Sequence, residues 1–260
     1  MPAAQAAFRE RLRAREPLLG VFIKTPSPHA TEIFGQVGFD FIVVDQEHAP
    51  FDRTATDLVL LAARAAGIAA LVRVPSASPP EVLGALDDGA QGVVVPHVSS
   101  VALAKSVVAS ARYRNGNRGF SNSPRAGRYG AAAIWEHVAT CDANTAVIAM
   151  LEDPQAVEAA GDIAAVDGLD ALFIGRGDLT VALGASAPDS SAVRAAVEKI
   201  AASGLAHGKA LCVHAGRVDA EEVQWLKSLG VNAFVVSSDQ GLMRAAAVNV
   251  LDEFRKALPK

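Results

Sequence analysis

Two carboxylates stand just past two apolar runs of strand length. Val147-Ile148-Ala149-Met150-Leu151 leads into Glu152-Asp153-Pro154, and Ala171-Leu172-Phe173-Ile174 leads into Gly175-Arg176-Gly177-Asp178. If the runs are neighbouring strands of a parallel barrel, Glu152 and Asp178 project from one rim. Such a pair suits a hard cation, since Mg²⁺ usually takes one or two carboxylates and leaves positions for water and substrate. Other apolar runs also end in polar residues: Asp45-Gln46-Glu47-His48, Arg73, His97 and His214. Each has a structural reading as well. Asp45 can cap a turn, Glu47 can be an outer hydrogen-bond partner, and Arg73 can form a structural ion pair. His48, His97 and His214 can be buried or wall residues, Asp178 a helix N-cap, and Asp87 a surface acid at a helix end. Their joint placement on one rim favours chemistry, because barrel active sites occupy the C-terminal face of the strands.

The elements that must hold these residues alternate along the chain. Strand candidates are Leu18–Ile23, Phe39–Asp45, Ala69–Val74, Gly92–Pro96, Ala146–Glu152, Ala171–Gly175, Ala210–His214 and Ala233–Ser237. Continuous apolar runs of this kind suit parallel strands buried on both faces. Helical spacing fills 28–36, 53–66, 79–88, 99–111, 154–165, 189–206 and 218–229, with Pro79, Pro80 and Pro154 where first turns allow proline. The alternation predicts a (β/α)8 barrel spanning residues 1–260 as one domain. The rival is an open doubly wound sheet. That fold usually carries a Gly-rich turn after its first strand, and here Lys24-Thr25-Pro26-Ser27-Pro28 follows instead. The longest irregular stretch is Tyr113–Gly130; long loops in compact domains are commonly functional or disordered.

Bulk properties narrow the partners. Apolar residues make up 51% of the 260, and the net charge is −4, which gives no support to a nucleic-acid partner. Cys141 and Cys212 form no CxxC pair and read as small core residues. Met1 to Pro17 reads as an amphipathic helix without the apolar segment of a signal peptide. No apolar stretch reaches the ~18 residues of a membrane span, so the expected location is the cytoplasm.

The segments Gly38–Pro50, Val72–Pro75, Leu86–Ala90, Gly92–Pro96, Arg118-Gly119, Leu151-Glu152 and Phe173–Leu179 resemble, in order and spacing, the HpcH/HpaI aldolase family. The resemblance implies a class II pyruvate aldolase dependent on Mg²⁺, Mn²⁺ or Co²⁺, and a barrel assembled as a homohexamer, a trimer of dimers. The dimers would exchange a C-terminal helix, for which Gly241–Leu258 is the candidate. By matching position, Glu152 and Asp178 would hold the metal, chelated by the substrate's carboxylate and keto oxygens. The Gly177 N–H would help bind the carboxylate and Arg73 would stabilise the enolate oxygen. His48 would be the base, with Asp87 raising its basicity, while Asp45 and Glu47 would lie behind these groups.

The residue types fit that chemistry by themselves. An enolate needs charge stabilisation on oxygen, which a metal and a guanidinium supply. A histidine beside a carboxylate accepts a proton near neutral pH. The Schiff-base strategy needs a lysine, and Lys24 is the one candidate near a strand end.

Three positions depart from the family pattern. Met150 stands where a glutamine commonly contacts substrate, and a thioether cannot donate a hydrogen bond. Phe22 replaces a tryptophan. Arg176 replaces a proline and is expected to add a charge beside the metal, favouring a more anionic substrate. The expected partners are small 2-oxo acids and aldehydes, with oxaloacetate decarboxylation as a side activity. Rivals on the same fold are a citryl- or malyl-CoA-type lyase, for which Arg114, Arg118, Arg125 and Arg128 could supply phosphate contacts, a dedicated 2-oxo acid decarboxylase, and a Diels–Alder-type enolate enzyme. A rival of another kind is a non-catalytic barrel that binds anionic metabolites.

Overall fold

Eight parallel strands close into a barrel in chain order, β1 pairing with β8. The computed structural model describes residues 7–216 and 219–258. The strands are β1 (Leu18–Ile23), β2 (Phe41–Asp45), β3 (Ala69–Arg73), β4 (Gly92–Val95), β5 (Ala146–Leu151), β6 (Ala171–Ile174), β7 (Ala210–Ala215) and β8 (Ala233–Ser238). The predicted barrel is therefore correct, and the doubly wound sheet is excluded.

Pleating sorts each strand into two sets of side chains. Phe22, Phe41, Val43, Leu71, Val94, Ile148, Met150, Phe173, Cys212 and Val235 belong to the packed cluster inside the barrel. Their sequence neighbours Val21, Ile42, Val44, Val72, Val93, Leu172 and Val213 belong to the larger cluster shared with the helices. Both faces of every strand are buried, which explains why the strands read as unbroken apolar runs. The helix Phe8–Arg13 closes the barrel below β2, with Phe8 and Leu12 buried and the Phe8 ring 5.3 Å from that of Phe41. A Cβ at Gly20 would lie 2.4 Å from the Phe41 ring, so this layer needs a glycine beside that phenylalanine. Of the N-terminal helix expected over Met1 to Pro17, residues 1–6 lie outside the described part.

Local chemistry sets the helix starts. Ser27 accepts the His29 N–H ahead of helix Pro28–Val37, and Asp52 accepts the Ala55 N–H ahead of Arg53–Ala66. Ser238 accepts the Gly241 N–H ahead of Asp239–Ala257. Pro79–Asp87, Val101–Ala111, Ser191–Ala206 and Ala220–Ser228 follow the expected spans closely. The stretch 154–165 is two short helices, Pro154–Glu158 and Ala160–Ala164, rather than one. Ile134–Asn144 was not foreseen, and Arg176–Ala182 begins two residues before Asp178, the residue read as a possible N-cap. The irregular Tyr113–Gly130 stretch contains a short 3₁₀ segment, Arg125–Gly130, with Arg128 and Tyr129 at φ 56° and 55°. Helix Asp239–Ala257 buries only Asp239 and leaves Met243, Val250 and Phe254 exposed. No described helix is long and apolar enough to cross a membrane.

Candidate active site

The inward-facing parity continues past the packed core and decides which polar residues meet. Asp45 and Arg73 are register partners at the ends of β2 and β3. Both occupy the inward set, two residues beyond Val43 and Leu71. Arg73 Nε donates to Asp45 Oδ1 at 3.0 Å and Nη2 to Oδ2 at 2.7 Å, a two-point pair. Asp45 is fully buried and also accepts the backbone N–H groups of Glu47 and His48 at 3.2 and 3.1 Å. Lys24 Nζ adds a third cationic contact at 3.0 Å. Burial pushes the Asp45 carboxyl upward, but Arg73, the His48 N–H and Lys24 together hold it below the usual carboxylate range. Asp45 thus makes the turn cap anticipated for it and the ion pair anticipated for Arg73. Arg73 is left with Nη1 3.2 Å from Glu47 Oε2 and its guanidinium 4.8 Å from the Phe22 ring centroid. Phe22 therefore supplies an aromatic face to the arginine.

On the other side of the rim, Glu152 is buried one residue beyond β5. His97, just past β4, has φ 53°, an uncommon backbone state for a residue other than glycine. That conformation directs its N–H to Glu152 Oε1 at 2.9 Å. The His97 ring is anchored by Asp153, Nδ1 lying 3.2 Å from Oδ2. Burial opposes protonation of this ring, but Asp153, Glu152 and Glu47 outweigh it and raise its pKa. Sequence reasoning had treated His97 as wall. Its role in holding Glu152 comes from the backbone and carried no sequence signal.

Glu152 has the donor chemistry of a cation site. Among the described residues, His97 is the sole basic group within ion-pair distance of it. Its carboxyl is pushed up to about 7, first by burial and further by the negative charges of Asp178 and Glu47. A divalent cation between Glu152 and Asp178 would relieve all three. No group of three or more His, Cys, Asp or Glu side chains is gathered for a metal among the described residues. The fit is thus to a hard cation taking two carboxylates and completing its shell with water and substrate. Asp178 lies in the first turn of helix Arg176–Ala182 and is exposed; the N-cap is Gly175. A side chain at Gly177 would meet nothing within 4 Å, so the turn is open at that position.

Gly175 sets the approach. A Cβ there would fall 2.5 Å from Glu152 Oε2, 2.6 Å from Glu152 Cβ and 3.0 Å from Met150 Cε. The Gly175→Ala variant is expected to displace the Glu152 carboxylate. Mn²⁺ affinity should fall at least about tenfold and stability by about 1–3 kcal/mol, checked by manganese titration and denaturant melts. Unchanged Mn²⁺ affinity would remove Glu152 from the cation site.

Two expectations are corrected. Arg176 does not add a free charge beside Glu152 and Asp178: it ion-pairs with Glu222, donates to the Pro188 carbonyl and packs on Trp225. Its charge is neutralised in a buried clamp between loop and helix. Asp87, the last residue of its helix, receives Arg118 Nη2 at 2.9 Å and is buried, so it is not a surface acid. Within the chain the His48 ring has the Glu47 carboxylate beside it, Oε2 lying 3.7 Å from Nε2. Lys24 Nζ is committed to an ion pair with Asp45 Oδ2 at 3.0 Å and is not free to meet a substrate carbonyl. His214 faces Phe22 inside the barrel, ring centroids 5.8 Å apart. Burial lowers its pKa, helped by Lys24, Arg73 and Arg176.

A closed barrel whose polar residues gather at the strand C-terminal ends has the layout of a barrel enzyme. Residues 18–243 match the family model described as HpcH/HpaI aldolase/citrate lyase, and the chain belongs to that family. A relative from Shigella boydii serotype 18, named 5-keto-4-deoxy-D-glucarate aldolase, is 34% identical over 98% of this chain and 99% of its own length. An HpcH/HpaI family structure from Burkholderia cenocepacia J2315 superposes with a TM-score of 0.89 at 30% identity, covering 96% of this chain and 99% of the other. The citrate synthase SbnG superposes with a TM-score of 0.86 at 28% identity, covering 97% and 99%. Family membership makes the chain an enzyme of the carbon–carbon lyase type.

Proposed function

We propose that this chain is a divalent-metal-dependent aldolase that cleaves and forms 4-hydroxy-2-oxo acids, with pyruvate or a close 2-oxo acid as the nucleophilic half. The observation that carries this reading is the buried, cation-poor Glu152 set one strand from Asp178, across a rim from the Arg73 guanidinium. The compound named for the S. boydii relative, read from its keto end, is itself a 4-hydroxy-2-oxo diacid. A polyhydroxylated diacid of that kind is therefore the first substrate to try.

The metal, Mg²⁺, Mn²⁺ or Co²⁺ held by Glu152 and Asp178, would act as a Lewis acid on the 2-oxo acid oxygens. The chain's own residues do the rest. In the cleavage direction a base accepts the C4 hydroxyl proton, and His48, exposed at the rim beside Glu47, is placed for that. The C3–C4 bond breaks, its electron pair moves towards the 2-oxo oxygen, and the aldehyde leaves. Arg73 stabilises the oxygen that gains charge. Asp45 fixes the guanidinium plane beforehand, so little reorganisation is needed. The Gly177 N–H, in the first turn of helix Arg176–Ala182, would bind the substrate carboxylate. C3 then takes a proton to give pyruvate. Met150 packs against Gly175 at the floor and contributes shape without a hydrogen bond. The same enolate arises when oxaloacetate loses CO₂, which makes decarboxylation a side activity.

Deuterium exchange into the pyruvate methyl group, followed by NMR in D₂O, tests the reading. Exchange should require Mg²⁺ or Mn²⁺, stop with chelator, and be lost in Glu152→Ala and His48→Ala. A folded, metal-loaded wild type without exchange would reject pyruvate as the donor. A metabolite-binding barrel without catalysis would also leave the methyl protons in place.

The proposed assembly is a homo-oligomer in which the exposed face of helix Asp239–Ala257 is covered by a second copy. Truncation after Ser238 should lower the mass seen by light scattering to that of a smaller species. An unchanged mass would place the interface elsewhere.

A further inference from the structure

We infer that the chain has a second binding site, for a small organic anion, in the helical layer where β4 and β5 begin. A cavity of about 270 Å³ opens there, lined by residues that directly precede the two strands, Gln91 and Thr145. The proposed catalytic rim is at the other end of the same strands. Leu60, Leu86 and Ala132 give the cavity apolar wall, while Arg64, Arg118, Arg125 and Arg128 bring four guanidinium groups to it.

Two of those arginines have unused donors. The Nε–H groups of Arg118 and Arg125 are buried with no hydrogen-bond partner. Their side chains are only 1% and 9% exposed. A buried donor left unpaired costs about 1–3 kcal/mol, so both guanidinium groups keep hydrogen-bonding capacity beyond their ion pairs. Ion pairs occupy the remaining Arg charge in part: Arg118 with Asp87, Arg125 with Asp57 and Arg128 with Glu136. No such ion pair to Arg64 is found among the described residues. Glu136 is the single acid in the wall, so the lining stays net positive. The Arg118 guanidinium also stacks 4.5 Å from the Tyr113 ring, which fixes its plane. Fixed guanidinium planes favour a carboxylate over a diffuse counter-ion, and the apolar wall favours a short hydrocarbon or aromatic body. The site fits a monocarboxylate with an apolar body. It makes no use of the metal site, so it stands or falls separately from the aldolase reading.

Cys141 lines the same cavity, whereas Cys212 is sealed inside the barrel. Alkylation of Cys141 therefore reports on occupancy in the native protein. The probes are 4-fluorobenzoate and its neutral counterpart 4-fluorobenzamide, followed by ¹⁹F NMR and by the rate of Cys141 alkylation from intact mass. The expected result is saturable binding of the benzoate that slows alkylation at least fivefold, with no effect of the benzamide. Arg125→Gln should weaken benzoate binding about tenfold or more. The milder Arg64→Gln, on an exposed helix surface, should weaken it about threefold. Both variants should keep wild-type pyruvate exchange. Equal binding of benzamide, benzoate binding unaffected by both substitutions, or the absence of saturable binding would overturn the site. Benzoate binding lost in Glu152→Gln but kept in Arg125→Gln would place the probe at the catalytic rim and equally reject it.

Discussion

The Glu152→Gln enzyme is expected to lose at least about a thousandfold in turnover while its metal-free form becomes more stable than the wild type at neutral pH. The two effects share one cause. In the folded, metal-free protein the Glu152 carboxyl titrates near 7, whereas a glutamic acid in an unfolded chain titrates near ~4.3. Between those values the folded state holds a proton that the unfolded state has released. Stability therefore falls as pH rises through this window, and the full penalty is present above about pH 7. Its size is on the order of a few kcal/mol. Glutamine carries no charge to desolvate, and its amide oxygen can still accept the His97 N–H. Denaturant melts in chelator at pH 5 and pH 8 should show the variant gaining on the wild type at the higher pH. Added Mn²⁺ should reverse the order, stabilising the wild type and leaving the variant unmoved. A variant that loses stability at pH 8 in chelator would mean that Glu152 is satisfied without a cation.

The barrel was legible because every strand is buried on both faces and leaves the same apolar signature. Strand ends drifted by a residue or two: Val74 and Pro96 were counted into strands that end at Arg73 and Val95. Two helices had weak signals for different reasons. Arg176–Ala182 begins inside a glycine-rich turn with no side-chain cap, which hides its start. Ile134–Asn144 presents Ile134 and Trp135 to solvent and buries His137, which blurs its apolar period.

Rim residues were found by position, and parity explains why that worked for Asp45 and Arg73. Each is the final inward-facing residue of its strand, so the register that pairs Val43 with Leu71 also pairs the acid with the arginine. Where partners depended on side-chain direction, sequence was mute. Arg176 could face the metal site or the helix Ala220–Ser228, and only the structure shows it clamped to Glu222. Asp87 looked exposed at a helix end, yet Arg118, more than thirty positions away, reaches back to cover it. His97 was underrated because its contribution is a backbone N–H presented by a left-handed residue, which no side-chain pattern records.

Arg73→Ala is expected to be the most damaging single change to stability at the rim, and the paired change Asp45→Ala/Arg73→Ala to recover much of the loss without recovering activity. Asp45 is wholly buried and carries its charge because Arg73, above all, compensates it. Removing Arg73 leaves that charge with Lys24 and two N–H groups alone. Breaking a buried pair on one side costs about 3–5 kcal/mol, while removing both partners is much milder. The pH dependence separates the cases. In the wild type Asp45 titrates below its unfolded value of ~3.9. The pair's contribution is thus complete above that pH and lost as pH falls through the lower, folded value. In Arg73→Ala, burial dominates and moves the carboxyl upward, so the penalty is largest at neutral pH and shrinks on acidification. The stability gap between variant and wild type should therefore be wider at pH 7 than at pH 4. Turnover should drop by about two to four orders of magnitude in both variants, since neither retains the guanidinium that meets the developing oxygen charge. A double variant as unstable as the single one would mean that Arg73 acts through packing on Phe22 rather than through Asp45. A single variant with near-normal kcat would remove Arg73 from the chemistry and leave it as a strut between β2 and β3.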